Sequence, residues 1–134
     1  MTQGVVLDAS ALLAYLLAEP GAERVRAHLD GSFISTVNWV EVLSKLVDLG
    51  GDLARIELDL RNQGIIGQIV ALVPFDEAQA REAARIRPAT RAAGLSLGDQ
   101  ACLALALKLE CPVLTADRCW ATLDLNLDVR HVRD

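Results

Sequence analysis

Gly4-Val5-Val6-Leu7-Asp8 is a short apolar run that ends in an acid. A strand buried on both faces of a parallel sheet reads this way, since helices cover it on either side and no polar alternation is required. Further runs of this kind follow. Phe33-Ile34-Ser35-Thr36, Ile69 to Val73 closed by Pro74, Pro112-Val113-Leu114-Thr115, and Val129 to Val132 complete a set of five strand candidates. Helical stretches lie between them. The first spans Ala9 to Ala18 with Ser10 as its N-cap, and Pro20-Gly21 separates it from a second helix that runs to about Leu29. From Asn38 to about Leu49, Val40, Leu43 and Val47 recur at helical spacing before Gly50-Gly51, and another helix starts from about Asp52. Gly64 and Gly67 loosen the chain ahead of the third strand. Asp76 to about Ile86 is helical, Pro88 begins a break that Gly94 completes, and Ser96-Leu97-Gly98-Asp99 opens a strongly apolar helix to Leu109. Ala116 to Leu123 reads as a short helical turn. Strands joined by helical crossovers predict an α/β fold with a parallel sheet covered on both faces.

The 134 residues contain no long linker, so one domain over 1–134 is expected, large enough to bury a core without disulfides. Hydrophobic residues make up 52% of the chain and aromatics only 4%, so Leu, Val, Ile and Ala must fill the interior. No apolar run reaches the roughly 18 to 20 residues of a membrane span. The N-terminus enters a strand without a basic stretch and apolar leader, so the cytosol is the expected compartment. Three cysteines, Cys102, Cys111 and Cys119, lack metal-knuckle spacing and read as buried or half-buried free thiols. The net charge of −5 argues against broad electrostatic capture of nucleic acid. It leaves a nuclease open, because metal-binding carboxylates contribute negative charge that bound cations neutralise. Eleven arginines against two lysines supply planar donors for phosphate.

Polar residues just after strands line the crevice at the carboxyl edge of such a sheet. Asp8 and Asp117 are so placed, while Glu41 and Asp99 lie near the starts of helices. Each has an ordinary explanation as well. Asp8 and Asp117 suit helix caps, Glu41 stands at i,i+4 from Lys45, and Asp99 follows Ser96 at the spacing of a capping box. As a set, four acids without a cation would repel one another, and hard cations such as Mg²⁺ take oxygen ligands of this kind. His28 and His131 are not at zinc-ligand spacing and read as surface or partly buried residues.

The motifs Val6-Leu7-Asp8-Ala9-Ser10-Ala11-Leu12, Val40-Glu41-Val42, Leu95-Ser96-Leu97-Gly98-Asp99 and Leu114-Thr115-Ala116-Asp117 occur in an order and spacing similar to those of PIN-domain proteins. Within that family the chain resembles the VapC toxins of bacterial and archaeal toxin-antitoxin pairs, over nearly its whole length. The resemblance implies a three-layer α/β/α domain with a five-stranded parallel sheet in the order 3-2-1-4-5. It implies an acidic site of Asp8, Glu41, Asp99 and Asp117, Mg²⁺- or Mn²⁺-dependent endoribonuclease activity on RNA, a homodimer, and a VapB-type antitoxin partner. Asp8, Glu41 and Asp99 would hold the principal ion, with Asp117 helping a second ion or orienting water. Trp120 stands where relatives often carry Phe, a change expected to alter packing alone.

Ser10 and Thr115 suit hydroxyl contacts that fix the carboxylates or touch phosphate, and equally suit simple cap or strand-end roles. Arg118 suits a contact with RNA backbone or a solvated surface position. Leu12, Leu13, Tyr15, Leu16 and Leu17 carry more apolar surface than one core-facing stripe requires, which fits either a groove for a partner helix or burial on two sides. Asp52 to Gln68, with Ile56, Leu60 and Ile65, is a candidate for part of the dimer interface.

Other classes fit less well. A haloacid-dehalogenase pattern needs a second Asp two residues after Asp8, where Ser10 stands; a phosphoacceptor receiver wants a Lys after the fifth strand, where the chain reads Arg133-Asp134. A PIN-like module that binds RNA or protein without cutting has little use for a repulsive acid cluster.

Overall fold

The computed structural model describes residues 4–118, 120, 123 and 125–133. Continuous apolar runs become the strands of one five-stranded sheet: β1 (Val6–Leu7), β2 (Ser32–Ser35), β3 (Val70–Val73), β4 (Val113–Thr115) and β5 (Val129–His131). All pairings are parallel and the order is β3-β2-β1-β4-β5. The order turns at β1, whose neighbours are β2 and β4, with Val6 opposite Phe33 on one side and Val113 on the other. Two parallel neighbours leave the ends of β1 and β4 side by side at the carboxyl edge, where such sheets bind ligands.

Among the described residues seven helices cross over between or beside these strands: α1 (Ala9–Leu16), α2 (Ala22–His28), α3 (Thr36–Asp48), α4 (Leu53–Asn62), α5 (Glu77–Arg85), α6 (Arg87–Ala92) and α7 (Leu97–Leu109). Alternate strand side chains point to opposite faces. Val5, Leu7, Ile34 and Leu114 therefore pack with Leu12, Val25, Trp39, Val42 and Leu60 from α1 to α4. Val6 and Val113 turn the other way, onto Cys102, Leu103, Leu105 and Ala106 of α7 with Ile86, Leu95 and Trp120. The result is three layers with two cores. Among the described residues no helix is long and apolar enough to cross a membrane.

Local structure departs from expectation in four places. Asp8, not Ser10, caps α1, because its side chain accepts from the Ala11 amide while Ser10 is already helical. The helix expected from Asn38 begins two residues earlier, at Thr36, where Ser35 ends β2 and caps α3 in one step. Pro88 starts a helix instead of breaking one: it occupies the first turn of α6, where its missing N–H has no partner to lose. In the candidate dimer segment, Leu60 and Ile65 belong to the core and Ile56 packs against it, so the helical stripe there faces the chain's own interior. Leu12 is likewise fully buried, whereas Leu13, Tyr15, Leu16 and Leu17 are half-buried. Cys102 and Cys111 are buried free thiols. Cys119, and with it part of the turn expected at Ala116 to Leu123, lies outside the described residues.

Candidate active site

Asp8 is the first residue beyond β1, and its carboxylate gathers three donors. Oδ1 accepts from the Ala11 amide at 2.8 Å and the Ser10 hydroxyl at 2.7 Å. Oδ2 accepts from the Thr115 hydroxyl, at the end of β4, at 2.5 Å. Thr115 and Ser10 then reach beyond Asp8: Thr115 Oγ1 accepts from the Asp117 amide at 2.9 Å, and Ser10 Oγ accepts from the Ala116 amide at 2.9 Å. The two hydroxyls lie 3.4 Å apart. Asp117, which follows β4, is thereby tied through its backbone to the residue that holds Asp8.

Glu41 arrives from α3. The i,i+4 pair with Lys45 is not formed; Glu41 Oε1 accepts from Asn38 Nδ2 at 2.9 Å, one turn earlier on the same helix face. The same amino group donates to the Gly98 carbonyl of α7 at 3.0 Å. Asn38 is only 1% exposed, and its Oδ1 is buried without a hydrogen-bond partner. A Cβ built on Gly98 would stand 2.5 Å from Glu41 Oε1, so the carboxylate occupies the space a side chain there would need.

Asp99 forms the capping box of α7: its carboxylate accepts from the Ser96 amide at 2.9 Å, and its own amide donates to Ser96 Oγ at 3.3 Å. The capping role read from the sequence is therefore real, and it coexists with a place on the cleft wall. Asp8, Glu41, Asp99 and Asp117, together with Ser10, Asn38 and Ser96, line a single cleft of about 450 Å³. Arg118 stands outside it, donating to the Arg133 carbonyl at 3.1 Å and lining a separate cavity with Glu19 and Arg24. His28 is exposed and His131 half-buried, and neither lines the cleft.

Burial dominates the electrostatics. Asp8 is pushed from an ordinary 3.8 to about 6 by desolvation, against the opposing pull of hydrogen bonds from Thr115, Ser10 and Ala11, and the nearby charge of Asp99 pushes the same way as burial. Cys102 lies beneath the cleft, and burial, then the charges of Asp8, Asp99 and Glu41, drive its thiol well above the ordinary range. A thiol held protonated is no nucleophile. Among the described residues no three His, Cys, Asp or Glu side chains converge closely enough to ligate one ion together. The donor set is nonetheless all oxygen, which suits a hard cation that keeps several waters and takes one or two carboxylates directly. Asn38 lines the same cleft, and its buried Oδ1 has no hydrogen-bond partner.

Sequence reasoning did not single out Asn38 or the space at Gly98. The signals were present in weak form: Asn38 precedes Glu41 by three residues, and a glycine inside a helix is disfavoured without a packing reason.

The family model for the PIN domain matches residues 5–124. No curated protein matches the chain. Among solved structures, the chain is similar to FitAcB from Neisseria gonorrhoeae at 25% identity and a TM-score of 0.67, over 96% of this chain and 97% of that one. It is similar also to a DNA-bound VapBC from Salmonella typhimurium, at 15% identity and a TM-score of 0.70 over 98% and 99%. A toxin-antitoxin complex from Klebsiella pneumoniae matches at 17% identity and a TM-score of 0.69, over 90% and 93%.

Proposed function

Because this chain belongs to the PIN-domain family, a family of nucleases that generally use divalent metal ions, we propose that it is a Mg²⁺- or Mn²⁺-dependent endoribonuclease, the toxin of a VapBC-type pair. The observation that carries this reading is the shared cleft: four acids from four separate sequence motifs line one cavity at the carboxyl edge of the sheet, where β1 and β4 lie together. The similarity to toxin-antitoxin complexes supports a VapB-type antitoxin partner; a homodimer and action in the cytoplasm are parts of the same proposal.

In this reading Asp8, Glu41 and Asp99 would share the principal cation, one or two of them directly and the rest through its retained waters, and Asp117 would help a second cation or orient the attacking water. A divalent cation in such a site supplies an activated water and neutralises charge on the scissile phosphate and leaving oxygen. Ser10 and Thr115 fix the orientation of Asp8 by donating one hydrogen bond to each of its oxygens. The Asp8 carboxyl, near 6 in the metal-free chain, is ionised at neutral pH and ready to bind. Arg118 lies beyond the cleft and donates to the Arg133 carbonyl, so in this reading a contact between it and RNA backbone would fall away from the cut.

The test is cleavage of candidate RNAs by the purified chain with Mn²⁺, with and without EDTA, alongside Asp8→Asn. Metal-dependent cleavage that vanishes in EDTA and in the variant is expected. Equal cleavage under both conditions overturns the metal mechanism, and RNA binding without cleavage under any condition replaces the enzyme with a binding module.

A further inference from the structure

We propose that Asn38, working against Gly98, is a positioning residue that holds the Glu41 carboxylate in the acidic cleft and thereby sets the cleft's affinity for a divalent cation. The inference rests on the metal-site reading above and adds two residues to it.

The orientation of Asn38 is determined by its partners. Both are acceptors, Glu41 Oε1 at 2.9 Å and the Gly98 carbonyl at 3.0 Å, so the amino group must face them and Oδ1 must face away. One amide thus restrains a carboxylate on α3 by gripping the first turn of α7. Stability alone does not account for this arrangement, since a buried amide oxygen without a partner is unfavourable and an apolar side chain would avoid it. A polar group kept in the wall of a cleft despite that penalty points to work done in the cleft.

Gly98 gives an independent line. It lies inside α7 with no positive φ, so backbone freedom does not explain the glycine. What explains it is space: a Cβ would stand 2.5 Å from Glu41 Oε1 and 2.8 Å from both Cδ and Oε2. The atoms that would have to move are the far end of a flexible side chain. An alanine there displaces the carboxylate while leaving the helix intact.

The experiment measures Mn²⁺ binding to the full chain by calorimetry and by the loss of the free-ion electron spin resonance signal, with thermal melts in EDTA as the control on folding. Asn38→Ala is expected to weaken Mn²⁺ binding ~10- to 100-fold, the usual effect of removing a group that orients a ligand. Gly98→Ala is expected to weaken it in the same direction while its melting temperature in EDTA stays equal or rises, because alanine is the better helix former. A purely structural staple cannot produce that opposition. Asn38→Asp also binds more weakly if the amide's donors matter; tighter binding would show Asn38 to be a ligand oxygen and overturn the positioning role. If Asn38→Ala does not fold, Gly98→Ala decides. Variants that bind Mn²⁺ within twofold of the wild type overturn this inference alone, whereas a wild-type chain that takes up no Mn²⁺ overturns the metal-site reading and this inference with it.

Discussion

The Thr115 hydroxyl donates to Asp8 Oδ2 across 107 positions of sequence and so joins the ends of the two central strands through their functional side chains. Its oxygen also accepts from the Asp117 amide, so one small residue serves two acids. Thr115→Val keeps the shape and removes both bonds. Hydrogen bonds to charged groups contribute about 1.5–3 kcal/mol, and a loss of that order is expected in urea titrations at pH 7.5. At pH 5, where Asp8 is largely protonated, the loss should be smaller. A loss independent of pH would mean that Thr115 supports packing and not the carboxylate.

Asp8 reverses the usual sign of acid stability. Its folded-state value of about 6 lies above the ordinary 3.8, so between these pH values the unfolded chain is the first to give up the proton. The metal-free protein is therefore expected to carry no penalty from Asp8 below about pH 4, to lose stability as pH rises toward 6, and to level off above it. The whole displacement corresponds to on the order of 3 kcal/mol. Asp8→Asn removes the charge while its Oδ1 still accepts from Ala11 and Ser10. In EDTA the variant should match the wild type near pH 4 and exceed it at pH 7.5, and Mn²⁺ should raise the melting temperature of the wild type alone. A variant less stable than the wild type at pH 7.5 in EDTA would contradict the desolvation argument.

The sheet was legible because burial on both faces leaves a mark that survives in one dimension. Val5-Val6-Leu7 and Val113-Leu114 are continuous apolar runs for the reason that consecutive residues enter two different cores. Choices governed by contacts distant in sequence were not legible. Pro88 is compatible with a break or a helix start, and its neighbour Ile86, buried against the sheet, decides for the start. Ile56 and Leu60 show that a stripe exists on α4, but periodicity cannot say whether the chain itself or another chain covers it. The acids were found through their motifs, whereas Asn38 and Gly98 meet across 60 positions and only the fold brings them together.

Asp99 holds two roles that substitution can separate. Its carboxylate accepts from the Ser96 amide as the second half of a capping box, and it lines the cleft. Asp99→Asn retains an oxygen for the Ser96 amide, so stability in EDTA should change by less than about 1 kcal/mol while Mn²⁺ binding and cleavage fall together. Ser96→Ala removes the other half of the cap at a cost of about 1 kcal/mol and is expected to leave Mn²⁺ binding within a few-fold of the wild type. The comparison needs only urea titration and Mn²⁺ calorimetry on both variants. Equal loss of metal binding in the two would show that the cap, and not the Asp99 charge, makes the site.

The proposed homodimer needs a surface, and the core-facing stripe of α4 cannot provide it. Among the large apolar side chains left in solvent, four lie on α4 and at the end of α3: Leu53 at the start of α4 is 47% exposed, Leu58 on the side away from Leu60 54%, Leu49 59% and Val47 42%. A self-complementary patch is what a two-fold dimer requires, since the same residues must meet from both chains. Leu53→Ser with Leu58→Ser changes two side chains that lie outside the buried core, so circular dichroism and the monomer's fold should be unchanged. Sedimentation velocity is expected to show a dimer for the wild type and a monomer for the double variant. A dimer that persists in the double variant moves the interface elsewhere, and then the apolar α1 side chains left half-buried, Leu13, Leu16 and Leu17, are the next to substitute.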